Sequence, residues 1–248
     1  MIQNFDNMNT NEIDNIASIN KQISKSISSE KDLTIMINEI VGLIFKKRNE
    51  DIVTRQHVLD YLNNHNINSK EIYNWLLNNQ NNSDSIFLLG YFNRVGIETT
   101  KDKKKAFSLS MNVSKQDHTL AQCYVGQCYQ YGTGIAKNEK LAFEYYEKLA
   151  NKDYAVGQFK LGYLYGNGIG IKKDLKTAVY WYEKAANNGH LIAMYNLANM
   201  YCDGVGIEKD IDNAIYWYEQ PAKQGDQDAQ NKLEKLKESR NNSCIIGY

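Results

Sequence analysis

"YGNGIGIKKD", Tyr165 to Asp174, sets three glycines in alternation ahead of a pair of lysines. It can be read as a backbone cradle for a nucleotide phosphate or as a bend between two elements. A dinucleotide cradle needs a preceding strand and a G-x-G-x-x-G register. Counted from Gly166 the third glycine falls on Ile171, and counted from Gly168 it falls on Lys173. A Walker-type loop needs Gly-Lys-Ser/Thr, which the stretch does not contain. Nor does it stand alone, because "YGTGIAKNE" begins at Tyr131 and "DGVGIEKDI" at Asp203. A loop that recurs where no second nucleotide would sit is a joint, and the stretch reads as the turn of a helix hairpin.

The recurrence is free of gaps at 36 residues. Gly96, Gly132, Gly168 and Gly204 form one column, and Ala106, Ala142, Ala178 and Ala214 another. Further columns read Asp102, Asn138, Asp174, Asp210; Leu89, Val125, Leu161, Leu197; Gly90, Gly126, Gly162, Ala198; and Leu109, Tyr145, Trp181, Trp217. So many coincident columns at one period define a repeat array. In the unit from Ala193 to Gly225, Ala193, Leu197, Ala198 and Tyr201 share one helical face. Gly204 ends that helix, where a positive φ is commonly required. Asp210 offers an N-cap to a second helix, whose apolar stripe is Ala214, Trp217, Tyr218 and Ala222. Small residues at 198, 214 and 222 allow close approach, and Trp217 fills the volume between layers. The predicted fold class is all-α: an α/α superhelix, a solenoid of antiparallel helix hairpins.

The string Ala-x-x-x-Leu-Gly-x-x-Tyr-x-x-Gly-x-Gly, then Asp, then Ala-x-x-Trp-x-x-Lys-Ala-Ala-x-x-Gly, resembles the Sel-1-like repeat, a tetratricopeptide-like helical repeat. The third unit carries it on Leu161, Gly162, Tyr165, Gly168, Gly170, Asp174, Ala178, Trp181, Lys184, Ala185, Ala186 and Gly189. The fourth puts Ala198, Gln220 and Pro221 where the family has Gly, Lys and Ala; the second puts Tyr145 for Trp and Asp153 for Gly. The first is degenerate at Asn93, Glu98 and Leu109. The resemblance covers about residues 85 to 240, and it implies a superhelical adaptor in protein complexes and signalling. Upstream, Arg55 to Phe92 resembles the segment joining kinase-like domains to such repeats in some fungal proteins, although no Gly-rich loop on a strand, His-Arg-Asp or Asp-Phe-Gly is present. That resemblance implies a kinase or signalling protein as partner, with the chain as a regulatory tail acting in trans. Some cysteine-rich bacterial relatives resemble β-lactamases in function. Their regular cysteine pairs are not matched by Cys123, Cys128, Cys202 and Cys244, so a hydrolase is the remotest reading.

Composition agrees with a globular helical protein. Hydrophobic residues make up 42% of 248, one proline is present, and 29 Lys+Arg balance 29 Asp+Glu. No cationic excess points to nucleic acid or an anionic membrane. The cysteines have no zinc spacing, and neither a metal nor another cofactor is expected. His57, His65, His118 and His190 are scattered, without a Ser/Cys–His–Asp set on one face. "MIQNFDNMNTNEID" lacks a basic n-region and an apolar h-region, so the expected location is cytoplasmic, or nuclear.

The expected organisation is a disordered Asn/Ser-rich segment (1–29), a helical cap or docking segment (30–84), four repeats (85–120, 121–156, 157–192, 193–228), a capping helix (229–240) and a tail (241–248). Leu33, Ile37, Ile40, Val41 and Ile44 share one face of a first helix, with a membrane-surface helix as the other reading. Helices are expected at 52–64 and 69–79, the latter capped by Ser69 and offering Ile72, Trp75 and Leu76 to the first repeat. Pro221 is expected to bend or shorten its helix.

Packing rules leave three positions free on the first helix of each unit. They read Phe87, Tyr91, Arg94; Cys123, Gln127, Gln130; Phe159, Tyr163, Gly166; and Tyr195, Asn199, Cys202. In a superhelix they line the concave surface, giving a solvent-facing row of Phe87, Cys123, Phe159 and Tyr195. Rings for anchorage and amides for main-chain hydrogen bonds suit a peptide or helix of a partner protein. The alternative, that some of these rings pack against neighbouring units, stays open. No small-molecule substrate is expected.

Overall fold

In the computed structural model, residues 30–49 and 55–245 are described. The segment expected to be disordered, the beginning of the helix expected at 52, and the last three residues lie outside them. The described residues form twelve helices and no strand. Three precede the repeats: α1 (Glu30–Asn49), α2 (Arg55–Asn64) and α3 (Ser69–Asn78). Four hairpins follow, α4 (Ser83–Val95) with α5 (Lys103–Ser114), α6 (Thr119–Tyr131) with α7 (Glu139–Ala150), α8 (Ala155–Asn167) with α9 (Leu175–Asn187), and α10 (Leu191–Asp203) with α11 (Ile211–Lys223). The last is α12 (Gln227–Ile245). It overruns the expected capping helix into the expected tail. Each helix packs on the next in chain order from α4 to α12, and α3 packs on α4. This is the solenoid.

The Tyr165–Asp174 turn is closed by its own backbone, apart from Gly170 N–H, which donates to Glu139 Oε2 one unit back at 3.2 Å. Gly168, at φ 69°, donates its N–H to the Leu164 carbonyl, and Ile169 N–H reaches the same oxygen at 3.0 Å. Asp174 N–H closes the loop on Tyr165 O at 2.9 Å. The same closure recurs as Asp102 to Asn93, Asn138 to Tyr129 and Asp210 to Tyr201. The second helix then starts on a side-chain cap from Asp102, Asn138, Asp174 or Asp210.

The second glycine of each turn is the joint between units. A Cβ on Gly170 would lie 2.5 Å from the Glu139 carbonyl oxygen, one unit back, and on Gly206 2.6 Å from that of Leu175. Backbone thus rests on backbone. The first repeat has no preceding hairpin to collide with, which explains Glu98: it keeps the left-handed φ of 54° and accepts a hydrogen bond from Ser69 Oγ at 2.6 Å. Ser69 is therefore not the cap of α3; Asn68 is, accepting from Lys70 N–H.

Within a unit, a glycine in the first helix lets a tyrosine of the second lie against it. A Cβ on Gly126 or Gly162 would come within 2.9 Å of the Tyr146 ring or 2.7 Å of the Tyr182 ring. In the first unit this column holds Ser110, whose buried hydroxyl has no hydrogen-bond partner among the described residues. Ser110→Ala should therefore be neutral or stabilising in a urea melt, since a buried unpaired hydroxyl is unfavourable.

Asp174 binds both Lys176 N–H and Thr177 N–H, and Thr177 Oγ1 donates to it as well. Asp174→Ala should lower the midpoint of chemical denaturation, because two backbone N–H groups lose their cap. The Thr177 hydrogen bonds hold the Asp174 carboxyl below its ordinary value of 3.8. Its contribution is present above that value and disappears as the pH falls through the lower folded-state value. At the opposite edge, Lys152 holds the Asp117 carboxyl down to about 2, linking the first and second units across the turn. Its share is likewise lost only between pH 3.8 and about 2.

Pro221 does not shorten its helix. Helix α11 spans 13 residues, as α9 does, and Pro221 O still accepts from Asp226 N–H as Ala185 O accepts from His190 N–H.

Candidate functional site

The first helices of the units, α4, α6, α8 and α10, share a face that carries every candidate contact residue. That face is not the open aromatic row expected from sequence. Phe87, Tyr91, Cys123 and Phe159 are buried, at 3%, 3%, 0% and 6% exposure. Gln130 is buried too, while Arg94, Gln127, Tyr163, Gly166, Tyr195, Asn199 and Cys202 are half-buried.

Histidines account for two of the buried rings. Phe87 stacks on His118 with centroids 4.8 Å apart, and Phe159 on His190 at 4.3 Å. Each histidine opens the first helix of the following unit, its Nδ1 accepting from Ala121 N–H at 3.1 Å or Ala193 N–H at 3.3 Å. His118 Nε2 also meets Asp84 Oδ1 at 2.9 Å. His118 and His190 are thus N-caps on the repeat period: Asn82, His118, Tyr154, His190 and Asp226 stand 36 residues apart, whereas His57 and His65 lie on α2 and just after it. Tyr154 alone makes no side-chain cap. His190→Ala should cost about 1–3 kcal/mol, combining the cap with the ring contact. His190→Asn should recover about 1 kcal/mol of that in the same thermal or urea melt, because the amide can cap.

The amides expected to serve a partner's main chain are mostly used inside the chain. Gln130 Oε1 accepts from Tyr146 OH at 3.0 Å. Asn199 Oδ1 accepts from Tyr218 OH at 2.8 Å and Lys232 Nζ at 2.6 Å, and its Nδ2 donates to Tyr195 O at 3.0 Å. Arg94 lies 4.8 Å from the Tyr91 ring centroid and 5.2 Å from that of Tyr124.

The half-buried rings gather at the α8–α10 end. Tyr195 lies edge-on to Tyr218 at 5.5 Å, with Lys232 Nζ 6.0 Å from its ring. Burial pushes the Tyr218 and Tyr182 phenols up, so both are neutral hydrogen-bonding groups at physiological pH. Nothing about these groups resembles an activated nucleophile or base. Cys202, half-buried, has its thiol pushed up by burial, which disfavours the thiolate.

The α4 end of this face is taken by α1. Helix α1 packs on α2 and α4 and reaches α8. Its Ile37, Ile40, Val41 and Ile44 share one buried core with Phe87 and Tyr91. On the outside of the second helices, Tyr180 and Tyr216 stand 48% and 62% exposed, each edge-on to its neighbouring Trp181 or Trp217. Sequence reading passed over this second aromatic surface, although the pair stands one repeat apart. No described helix is long and apolar enough to cross a membrane.

Residues 83–109, 119–154, 155–190 and 191–226 each match the Sel1 repeat. A Sel1 repeat protein from Oxalobacter formigenes is 31% identical over 68% of this chain and 74% of its own, with a TM-score of 0.61. A protective antigen of uropathogenic Escherichia coli strains, displaying an SLR fold, is 21% identical over 87% of this chain and 42% of its own, with a TM-score of 0.62. The second likeness bears on fold alone. No curated protein matches the chain.

Proposed function

The chain belongs to the Sel1 repeat family, and from that premise we propose that it is a non-catalytic scaffold that holds a segment of a partner protein on the face of α8 and α10. Repeats of this family serve as protein-interaction scaffolds, and that coarse role carries over with membership. The finer assignment rests on one observation: along the shared face, rings are covered at α4, whereas at α8 and α10 Tyr163 and Tyr195 are half-open, with Lys232 beside Tyr195. Half-open tyrosines on rigid helices are good anchors, combining a large apolar area with few rotatable bonds.

Phe159 is no longer a suitable test residue, since it supports His190. The informative variant is Tyr163→Ala/Tyr195→Ala in the full chain, compared with Tyr180→Ala/Tyr216→Ala on the outer surface. Truncating an anchor weakens binding by about 1–2 kcal/mol or more. Capture of the principal partner, measured quantitatively in a pull-down, should therefore drop at least tenfold for the inner pair and stay within about twofold for the outer pair. The reverse pattern would move the binding surface to the outer helices.

A further inference from the structure

Helix α1 is the only described helix that leaves the chain-order stack to lie across the first helices of separate units, and three features describe how it sits. First, its aliphatic side chains Ile37, Ile40, Val41 and Ile44, spaced i, i+3, i+4 and i+7, are all buried, in one core with Phe87 and Tyr91 of α4 and with Val58 and Leu62 of α2 and Ile72 and Leu76 of α3. Second, it reaches α8, and Phe45 lies edge-on to Tyr154, the residue just before that helix, with centroids 6.0 Å apart and planes at 79°. A helix of 20 residues is about 30 Å long, enough to pass several hairpins. Third, Tyr154 holds the one position in the Asn82, His118, Tyr154, His190, Asp226 column where no side chain caps the helix behind it. The repeat has given up a cap there, and the ring in its place meets α1.

We propose that residues 30–49 are an internal ligand of the shared face, and that the partner segment this face accepts is itself an amphipathic helix with aliphatic residues at i, i+3, i+4 and i+7, which displaces α1. A groove that already seats one such stripe has the shape and apolar character to seat another, as in helix-in-groove recognition. The hairpins from α6 to α11 pack on one another in chain order without α1, so its release leaves their joints intact. A partner helix that runs from Tyr163 and Tyr195 along the face onto α4 then competes with α1 for the α4–α8 part of it, and the affinity of the full chain is reduced by the fraction of time that this part is filled. This deepens the scaffold reading and rests on it.

The test uses the full chain and a fluorescein-labelled synthetic peptide of residues 30–49, with binding followed by fluorescence anisotropy. In Ile40→Glu/Ile44→Glu the tethered helix loses its stripe, so this variant should bind the peptide at least tenfold more tightly than the unaltered chain. Adding Tyr154→Ala should weaken that binding severalfold. Equal binding by variant and unaltered chain, or indifference to Tyr154→Ala, overturns the proposal. Should the double variant lose its helical melt, Phe45→Ala with hydrogen exchange decides. Faster exchange at residues 37–44, with 155–203 unchanged, supports a releasable ligand; a matching rise across 155–203 makes α1 an inseparable part of the core and rejects it. A chain that still captures its partner through Tyr163 and Tyr195 but fails the peptide test remains a scaffold without an internal ligand.

Discussion

Tyr146→Ala is expected to destabilise the chain by about 3–5 kcal/mol, the range for truncating a large buried aromatic. The ring is 0% exposed and lies directly on Gly126, where even a Cβ would approach to 2.9 Å. Directly under the ring, Gly126 has no side chain to move into the vacancy. Tyr146→Phe separates the ring from its hydroxyl. It should cost about 1–3 kcal/mol, since Gln130 Oε1 is then left buried without its donor. Urea denaturation measures both, and an Ala variant that loses under 1 kcal/mol would mean that the ring is not what holds the hairpin together. The fourth unit shows how the contact adapts: Ala198 replaces the glycine, and Tyr218 turns its hydroxyl to Asn199. Gly126→Ala should accordingly cost less than Tyr146→Ala, because a ring can rotate where a lost ring cannot be replaced.

Gly170→Ala should cost about 2–5 kcal/mol, through two causes that add. The residue sits at φ +69°, where a side chain costs about 1–2 kcal/mol. Its Cβ would also stand 2.5 Å from the carbonyl oxygen of Glu139, and backbone cannot rotate away as a side chain can; overpacking of this kind costs about 1–3 kcal/mol. Gly189→Ala is the control. At φ +83° with nothing within 4 Å of the added Cβ, it should show the conformational cost alone, about 1–2 kcal/mol. Equal losses at the two sites would remove the proposed backbone joint between hairpins. Glu98→Gly should be close to neutral, because the first unit has no earlier hairpin to rest on.

The hairpins, their turns and the Asp174-type caps were legible because each depends on local geometry that repeats every 36 residues. A positive φ after Leu164 or a cap before Thr177 is required by the backbone alone, so residue type betrays it. The state of the shared face was not legible in the same way. Whether Phe87 or Phe159 meets solvent depends on what lies against it, namely His118, His190 and α1, and helical periodicity on one element carries no information about its visitors. The cap column was nevertheless present at the repeat period, and reading His118 and His190 in register with Asn82 and Asp226 would have exposed it. Ser69 was misplaced as a cap because Asn68 and Ser69 are both good capping types, and Glu98 claims the serine. Pro221 leaves its helix at full length because it falls in the last turn, where the Gln220 and Pro221 carbonyls still accept from Gln224 and Asp226 N–H.

Hydrogen exchange on the full chain, with and without its captured partner, examines the shared face most directly. Bound partner should slow exchange in residues 155–167 and 191–203 and speed it in residues 37–44, as a second helix takes the place of the first. Slowing confined to the outer helices around Tyr180 and Tyr216, with residues 37–44 unchanged, would contradict a binding surface on the first helices of the repeats.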